Sequence, residues 1–446
     1  MKNISPIVPP DPWNIMLAMT YDRVDMNIIN NILKYQEQEM AHAKFGSLPP
    51  TSKKVAIDLG KGPLEHCQKI IERKTNKRVS ILDVGVGSGL FGRLARATLG
   101  DGVGVLDGVE IWPGNLIFQQ ALYYDHIFVE DIRDQVNALG VYDLVFLDGL
   151  YHYLPTLDLL CLISRLQYNG DVIVSTQDEV QNYSRNPLDP LDHLPPVSLL
   201  VQIGGEEIEG GCYLFKKKEG KAATVLIRTF ERPFMVRASI ESLLKSWLPP
   251  SEVILVDDGS DDGRLRAYLE NLSLGVHKKN LLTMKHSGEL YLSAQRGIDL
   301  FHKTEEKEFL VFCDSDFRYN RKWFQIAAGG FHFLSKRYPD LNPGMCTAFH
   351  LGAEDHMHGY EETRMTPWGH FCLRESSGWG NLLVKDSIAR EITAIDPERR
   401  DSGYVAQVRD MGYSLVGTIP SYVQHVGAKA STMEHFIGDF APDYSD

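Results

Sequence analysis

Residues Glu308 to Trp323 read EFLVFCDSDFRYNRKW, an apolar run, Phe309 to Cys313, that stops at Asp314-Ser315-Asp316. A run that is apolar throughout, rather than alternating, predicts a strand buried on both faces of a sheet covered by helices. Two carboxylates then emerge together at the strand's end. With one residue between them they start on opposite sides, so they can grip one ion only if the chain turns and brings Asp316 back. Oxygen ligands of this kind suit Mg²⁺ or Mn²⁺, and such an ion is most useful where it bridges the phosphates of a nucleotide.

The same pattern recurs on both sides of this stretch. Ala223 to Arg228 predicts a strand ending in Thr229-Phe230-Glu231-Arg232-Pro233, and Glu252 to Val256 one ending in Asp257-Asp258-Gly259-Ser260-Asp261-Asp262. Helical spacing at Val236, Ile240, Leu243 and Leu244 separates the two. Polar groups at successive strand ends mark the ligand-binding edge of an open α/β sheet. A second series lies nearer the N-terminus. Val79 to Leu82 runs straight into Asp83-Val84-Gly85-Val86-Gly87-Ser88-Gly89, and a helix opens near Leu90. Later apolar stretches end at Glu110, at Glu130-Asp131 and at Asp148-Gly149, and Asp171 to Ser175 continues the sheet. A glycine-rich turn at a helix N-terminus lets a ligand approach the backbone, and an acid about twenty residues on can hold a ribose. The spacing can be forced into G-x-G-x-x-G through Gly87, Gly89 and Gly92, so a nicotinamide site is the alternative for this half.

The 446 residues carry a net charge of −13, which argues against a polyanion binder, since that role rests on Lys and Arg. The length predicts about two or three domains. Six cysteines are scattered without a C-x-x-C pair, which argues against a disulfide framework or a zinc site and for a reducing cytoplasm. The N-terminus lacks an apolar signal core and no run is long enough to span a membrane, leaving peripheral association open. Lys216 to Lys221, charged and broken by Gly220, is the predicted linker. It divides the chain into an N-terminal helical segment or lid over 1–74, a first α/β domain over 75–218 and a second over 219–446.

The first series resembles class I S-adenosylmethionine-dependent methyltransferases, with a Rossmann-like doubly wound sheet. The resemblance implies that Asp83, Gly85, Gly87 and Gly89 form the cofactor loop, that Glu110 binds the ribose and Asp131 the adenine amine, and that Asp148 faces the methionine end and the acceptor. Methyl transfer to a hydroxyl needs alignment and a base, for which Asp148 and His152 are candidates. Asp83 ahead of the loop favours the methyl donor over nicotinamide by binding its amino group.

The second half resembles family 2 glycosyltransferases of the GT-A type. The resemblance implies a nucleotide-diphospho-sugar donor contacted by Thr229, Glu231 and Arg232, by Asp257 or Asp258, by Arg296 towards the diphosphate and by Asp314. It implies a metal held by Asp314 and Asp316, with His425 in the closing segment as a further ligand. Asp401 fits the catalytic aspartate, with Asp355 in reserve; Gly297 and Arg400 depart from the family's pattern. The expected whole is a bifunctional enzyme of surface-polysaccharide type, combining O-methylation with inverting, Mn²⁺- or Mg²⁺-dependent glycosyl transfer to a glycan or glycolipid. The other readings are an inactive S-adenosylmethionine-binding scaffold in the first half, or a nucleotidyltransferase in the second. Against the latter, TFERP stands where a glycine-rich triphosphate loop belongs.

Overall fold

A computed structural model describes residues 59–87, 89–111, 123–148, 150–176, 197–349, 362–375, 377, 380–396 and 403–426, with the backbone alone at 152, 153 and 290. Of the N-terminal helical segment expected over 1–74, residues 1–58 lie outside them. The chain divides into two compact units, 1–154 with 169–217, and 155–168 with 218–446.

In the first unit the strands are β1 (Val79–Val84), β2 (Val103–Val109), β3 (His126–Phe128), β4 (Leu144–Leu147), β5 (Asp171–Ser175), β6 (Glu206–Ile208) and β7 (Cys212–Phe215). Their order is β3-β2-β1-β4-β5-β7-β6, with β1 to β5 parallel and β7 antiparallel to both neighbours. The order reverses between β1 and β4, which opens a crevice at their carboxyl ends. Ile81, Phe91, Phe146 and Ile173 fill the core beside them, with the Phe91 and Phe146 rings 4.6 Å apart. GGEEIEGG, which reads as a turn-rich acidic loop, instead forms a hairpin. Gly210 and Gly211 take positive φ, 83° and 65°, the geometry a tight hairpin turn needs, and β6 pairs with β7 from Glu206 to Ile208.

The second unit is built on a nine-stranded sheet among the described residues, in the order β10-β9-β8-β11-β16-β13-β17-β15-β14. Its strands are β8 (Ala223–Thr229), β9 (Glu252–Asp257), β10 (Lys278–Thr283), β11 (Phe309–Asp314), β13 (Pro343–Thr347), β14 (Thr363–Thr366), β15 (Gly369–Arg374), β16 (Asn381–Lys385) and β17 (Ser414–Ile419). A separate ribbon joins β12 (Phe317–Tyr319) to β18 (Val423–His425). The strands β10, β9, β8 and β11 are parallel; β8, β9 and β11 are the buried runs read in the sequence, whereas β10, KKNLLT, is polar at its start and only half-buried. Leu226, Ile254, Val256, Phe312, Leu382 and Tyr404 form the core against them. The helix Pro233–Lys245 has proline in its first turn, where the missing N–H costs nothing, and it buries Val236, Ile240 and Leu243.

The helix Thr156–Leu166, which lies between β4 and β5 in sequence, belongs to this second unit. It packs on the helix Trp323–Arg337, where Asp158 accepts a hydrogen bond from Lys322 at 2.5 Å. Among the described residues no helix is long and apolar enough to cross a membrane. All six cysteines are buried and free.

Candidate donor and cofactor sites

Strand register brings the polar ends of the second unit to one level. Arg228 pairs with Asp314 across β8 and β11, and Thr229 with Asp257 across β8 and β9. Between the two adjacent acids the structure makes a distinction that sequence leaves open. Asp257 is fully buried, and its carboxylate accepts from Ser260 Oγ at 2.6 Å, Ser260 N at 3.1 Å and Thr229 Oγ1 at 3.2 Å. It therefore holds the turn together. Asp258 instead faces the loop after β10, accepting from Ser287 Oγ at 2.9 Å and lying 3.3 Å from His286 Nδ1. His286 stacks on Phe230, with centroids 4.3 Å apart and planes 9° from parallel, and Phe230 keeps 37% of its surface exposed.

The turn after β8 is strained. Glu231 and Arg232 both take left-handed backbone, φ 51° and 53°, a conformation that costs a residue with a Cβ about 1 kcal/mol or more. Ser260 Oγ, oriented by Asp257, accepts the Glu231 N–H at 2.7 Å, and Glu231 Oε1 in turn accepts from Asp261 N at 2.5 Å. The result aims Arg232 at Asp316, Nη1 to Oδ2, at 3.1 Å.

The two carboxylates of Asp-Ser-Asp, expected to grip one ion together, part company in this structure. Asp314 closes β11 and takes Arg228 Nη2 at 2.6 Å. The chain then turns into β12, and pairing of β12 with β18 sets His425 opposite Phe317, the two rings stacked 4.8 Å apart. His425 Nε2 thereby reaches Asp316 Oδ2 at 3.3 Å. Burial raises the pKa of the Asp316 carboxyl, but His425 and Arg232 outweigh it and leave it below the usual range. Two of the three expected metal ligands thus meet, while Asp314 is held apart by Arg228. Among the described residues no group of three or more His, Cys, Asp or Glu side chains is gathered as for a metal ion.

Arg296 pairs with Asp299 on an exposed helix face, at 3.4 Å. Its neighbour Gln295 points inward to the chain at Thr393 and Ile395 instead. Asp355 and Asp401 lie outside the described residues. Arg228, Ser260 and His286 are the contributors that motif reading missed. An arginine at the end of an otherwise apolar strand was the available signal for the first; the other two depend on how loops fold back.

In the first unit, Gly85, Gly87 and Gly89 all take positive φ, 92°, 51° and 75°, between β1 and the helix Leu90–Leu99. A Cβ on Gly85 would stand 2.2 Å from the Asp148 carbonyl oxygen, so the loop passes under the end of β4 only because that residue is glycine. Glu110 accepts the Gly87 N–H at 2.8 Å. Asp83 is buried and takes the Tyr124 hydroxyl on one oxygen, while its Oδ1 has no hydrogen-bond partner among the described residues. Burial, then the charge of Asp148 and more weakly that of Glu110, hold the Asp83 carboxyl well above its ordinary pKa against the opposing Tyr124 hydrogen bond. Tyr124 also accepts the Gly92 N–H at 3.1 Å, a role no motif announces. Asp131 caps the helix Ile132–Gln135 through Arg133 N at 2.8 Å and pairs with the Arg133 guanidinium. His152 lies in the helix Leu150–Tyr153, its side chain outside the described residues.

Residues 224–333 match the family model described as glycosyl transferase family 2. Solved structures with similarity include TarS from S. aureus, at 15% identity and TM-score 0.32, covering 45% of this chain and 36% of that one. Others are the mannosyltransferase PcManGT from Pyrobaculum calidifontis in complex with GDP-Man and Mn²⁺ (15%, 0.33, 46% and 56%) and GalNAc-T7 with UDP, GalNAc and Mn²⁺ (15%, 0.36, 48% and 45%). The chain thus spans 36% to 56% of the length of these structures. No curated protein matches it. Residues 224–333, which take in most of β8, β9 to β12 and their polar ends, are thus the stretch of this chain that is similar to family 2 glycosyltransferases.

Proposed function

We propose that the second unit transfers a glycosyl group from a nucleotide-diphospho-sugar, assisted by a divalent cation, and inverts the anomeric centre. The observation that carries this reading is the convergence of Asp258, Asp314, Asp316, His425, Arg228 and Arg232 at the carboxyl edge of β8, β9 and β11, inside the matched domain or its closing ribbon. Asp316 and His425 offer one oxygen and one imidazole nitrogen at a common point, a donor set that fits Mn²⁺ when diphosphate oxygens and water complete the shell. Such an ion, when bound, offsets the charge that builds on the departing diphosphate. Phe230 and His286 present a flat face and Asp258 an acceptor beside it, a pairing suited to a nucleobase. Removal of the acceptor's hydroxyl proton falls to an acid outside the described residues; Asp401 is the proposed base and Asp355 its reserve.

We further propose that the first unit binds S-adenosylmethionine and methylates a hydroxyl of the same surface-polysaccharide type of glycan, with Asp148, or His152, taking the proton. Electrostatics favour this over a nicotinamide cofactor. Burial, together with the charges of Asp148 and more weakly Glu110, holds Asp83 towards its neutral form, and Asp83 Oδ1 is buried without a partner among the described residues. A ligand carrying an ammonium and a sulfonium relieves that repulsion, whereas a pyrophosphate adds to it. The sheet departs from the dinucleotide order as well, because antiparallel β7 lies between β5 and β6.

Titration calorimetry of the full chain tests both halves. UDP and GDP, each with Mn²⁺, are expected to reveal one preferred base, and S-adenosylmethionine is expected to bind while NAD does not. Loss of nucleotide binding in every case would remove the first proposal, and NAD binding in place of S-adenosylmethionine the second.

A further inference from the structure

The two carboxylates of Asp-Ser-Asp are each matched to a guanidinium, and the two matches are built differently. Arg232 reaches Asp316 from a strained loop, at 3.1 Å, and shares Oδ2 with His425. Arg228 instead projects from β8, a central strand, directly across the register from Asp314. Its side chain is 10% exposed and its contact is 2.6 Å, the length of a strong charge-assisted bond. Asp314 is more open, at 29%. A small ligand can therefore reach the carboxylate while the arginine stays anchored in the sheet.

A divalent cation binds a carboxylate oxygen at about 2.0–2.2 Å. Placed on Asp314 Oδ1, it would stand within about 4–5 Å of the Arg228 guanidinium, and two positive centres at that separation repel at any dielectric a protein provides. Arg228 and the metal thus compete for one carboxylate. The donor supplies what resolves the competition, because a diphosphate presents planar pairs of anionic oxygens that a guanidinium fork accepts as readily as a carboxylate.

We infer that Arg228 is an internal counter-cation for the donor site. It holds Asp314 in the empty site, and releases it to the metal when a diphosphate arrives to take the guanidinium. Metal and donor then bind with positive coupling, and a metal alone binds weakly because it must displace an arginine without compensation. Arg228 acts on the metal through Asp314, so it is a positioning residue. The inference rests on the donor-site reading above. An ion pair that merely staples β8 to β11 would affect stability and leave ligand coupling unchanged.

The test uses the full chain and two probes, Mn²⁺ followed by the electron paramagnetic resonance of the free ion, and inorganic diphosphate followed by calorimetry in EDTA. Arg228→Met is expected to bind Mn²⁺ alone about tenfold more tightly than the unmodified protein, equivalent to about 1.4 kcal/mol. The same variant is expected to bind diphosphate without metal about tenfold more weakly, and the enhancement of Mn²⁺ affinity by diphosphate should shrink accordingly. Arg228→Lys, which keeps the charge and is the safer variant for folding, should hold Mn²⁺ affinity within about twofold of the unmodified value. Asp314→Asn, which removes the contested ligand, should abolish the gain when combined with Arg228→Met. Equal Mn²⁺ and diphosphate affinities in Arg228→Met and the unmodified protein would overturn the inference and leave the donor site standing. Absence of Mn²⁺ and diphosphate binding in all of these proteins would overturn both.

Discussion

Replacing Asp257 by alanine should lower the stability of the second unit as well as disturb its site. The carboxylate is fully buried and accepts three hydrogen bonds, from Ser260 Oγ, Ser260 N and Thr229 Oγ1. A hydrogen bond to a charged group contributes about 1.5–3 kcal/mol, and leaving its donor buried costs a similar amount. The two hydroxyls can turn to other acceptors, whereas the Ser260 N–H cannot, so the net loss is about 3 kcal/mol rather than the sum of all three. With a urea dependence of about 1–3 kcal/mol per molar, the midpoint should fall by about 1–3 M. Trp247 and Trp323, both fully buried in this unit, report the transition by fluorescence. The loss should reach the ligand as well, since Ser260 Oγ fixes the Glu231 N–H and with it the left-handed turn that aims Arg232. Asp257→Asn should cost about half as much, and Asp258→Asn should leave the midpoint nearly unmoved while weakening nucleotide binding. An Asp257→Ala midpoint within about 0.3 M of the unmodified protein, at unchanged slope, would refute the assignment of Asp257 as the turn's organiser.

Three further outcomes follow from other parts of the molecule. Gly85→Ala should lower the thermal midpoint of the first unit and abolish S-adenosylmethionine binding in calorimetry, because its Cβ would stand 2.2 Å from the Asp148 carbonyl oxygen at φ 92°. His277 accepts the Ser251 N–H on Nδ1 at 3.1 Å, and burial, with the charges of Arg165 and Lys221, holds its pKa down to about 4. Its folded pKa lies below the unfolded value of about 6.5, so the unfolded chain takes up the proton first. Stability is complete above about pH 6.5 and is lost as pH falls towards 4, by about 3 kcal/mol in urea titrations, a slope that His277→Gln should flatten. Residues 219–446 expressed alone should give a broadened, non-cooperative transition, because the helix Thr156–Leu166 belongs to this unit and its Asp158 is the partner of Lys322. A sharp transition at the full chain's midpoint would count against that assignment.

Sequence reading reached furthest where one physical constraint acts alone. Parallel strands buried on both faces must be apolar throughout, so β1, β4, β8, β9 and β11 and the polar residues that end them were visible as runs with abrupt polar stops. The turn at Asp-Ser-Asp was legible for the same reason. What those acids bind to was not, since it depends on register. Arg228 lies 86 residues from Asp314 in sequence and meets it only through the pairing of β8 with β11. His425 reaches Asp316 through the short β12–β18 ribbon, for which three-residue strands give almost no periodic signal. Tyr124 reached Asp83 unannounced because a phenol serves as readily in a core as in a site. The membership of the helix Thr156–Leu166 is likewise invisible locally, because an apolar helix carries no label for the sheet it will cover. GGEEIEGG misled because polar content outweighed the hairpin geometry of Gly210-Gly211.

The central claim is glycosyl transfer from a nucleotide donor gripped by Asp316. Its most direct measurement is release of nucleoside diphosphate from a panel of UDP-, GDP- and dTDP-sugars by the full chain with Mn²⁺, beside Asp316→Asn. The account predicts turnover of at least one donor, abolished by EDTA and reduced at least a hundredfold in the variant. Equal turnover by Asp316→Asn and the unmodified protein, or none by either with any donor, would contradict it.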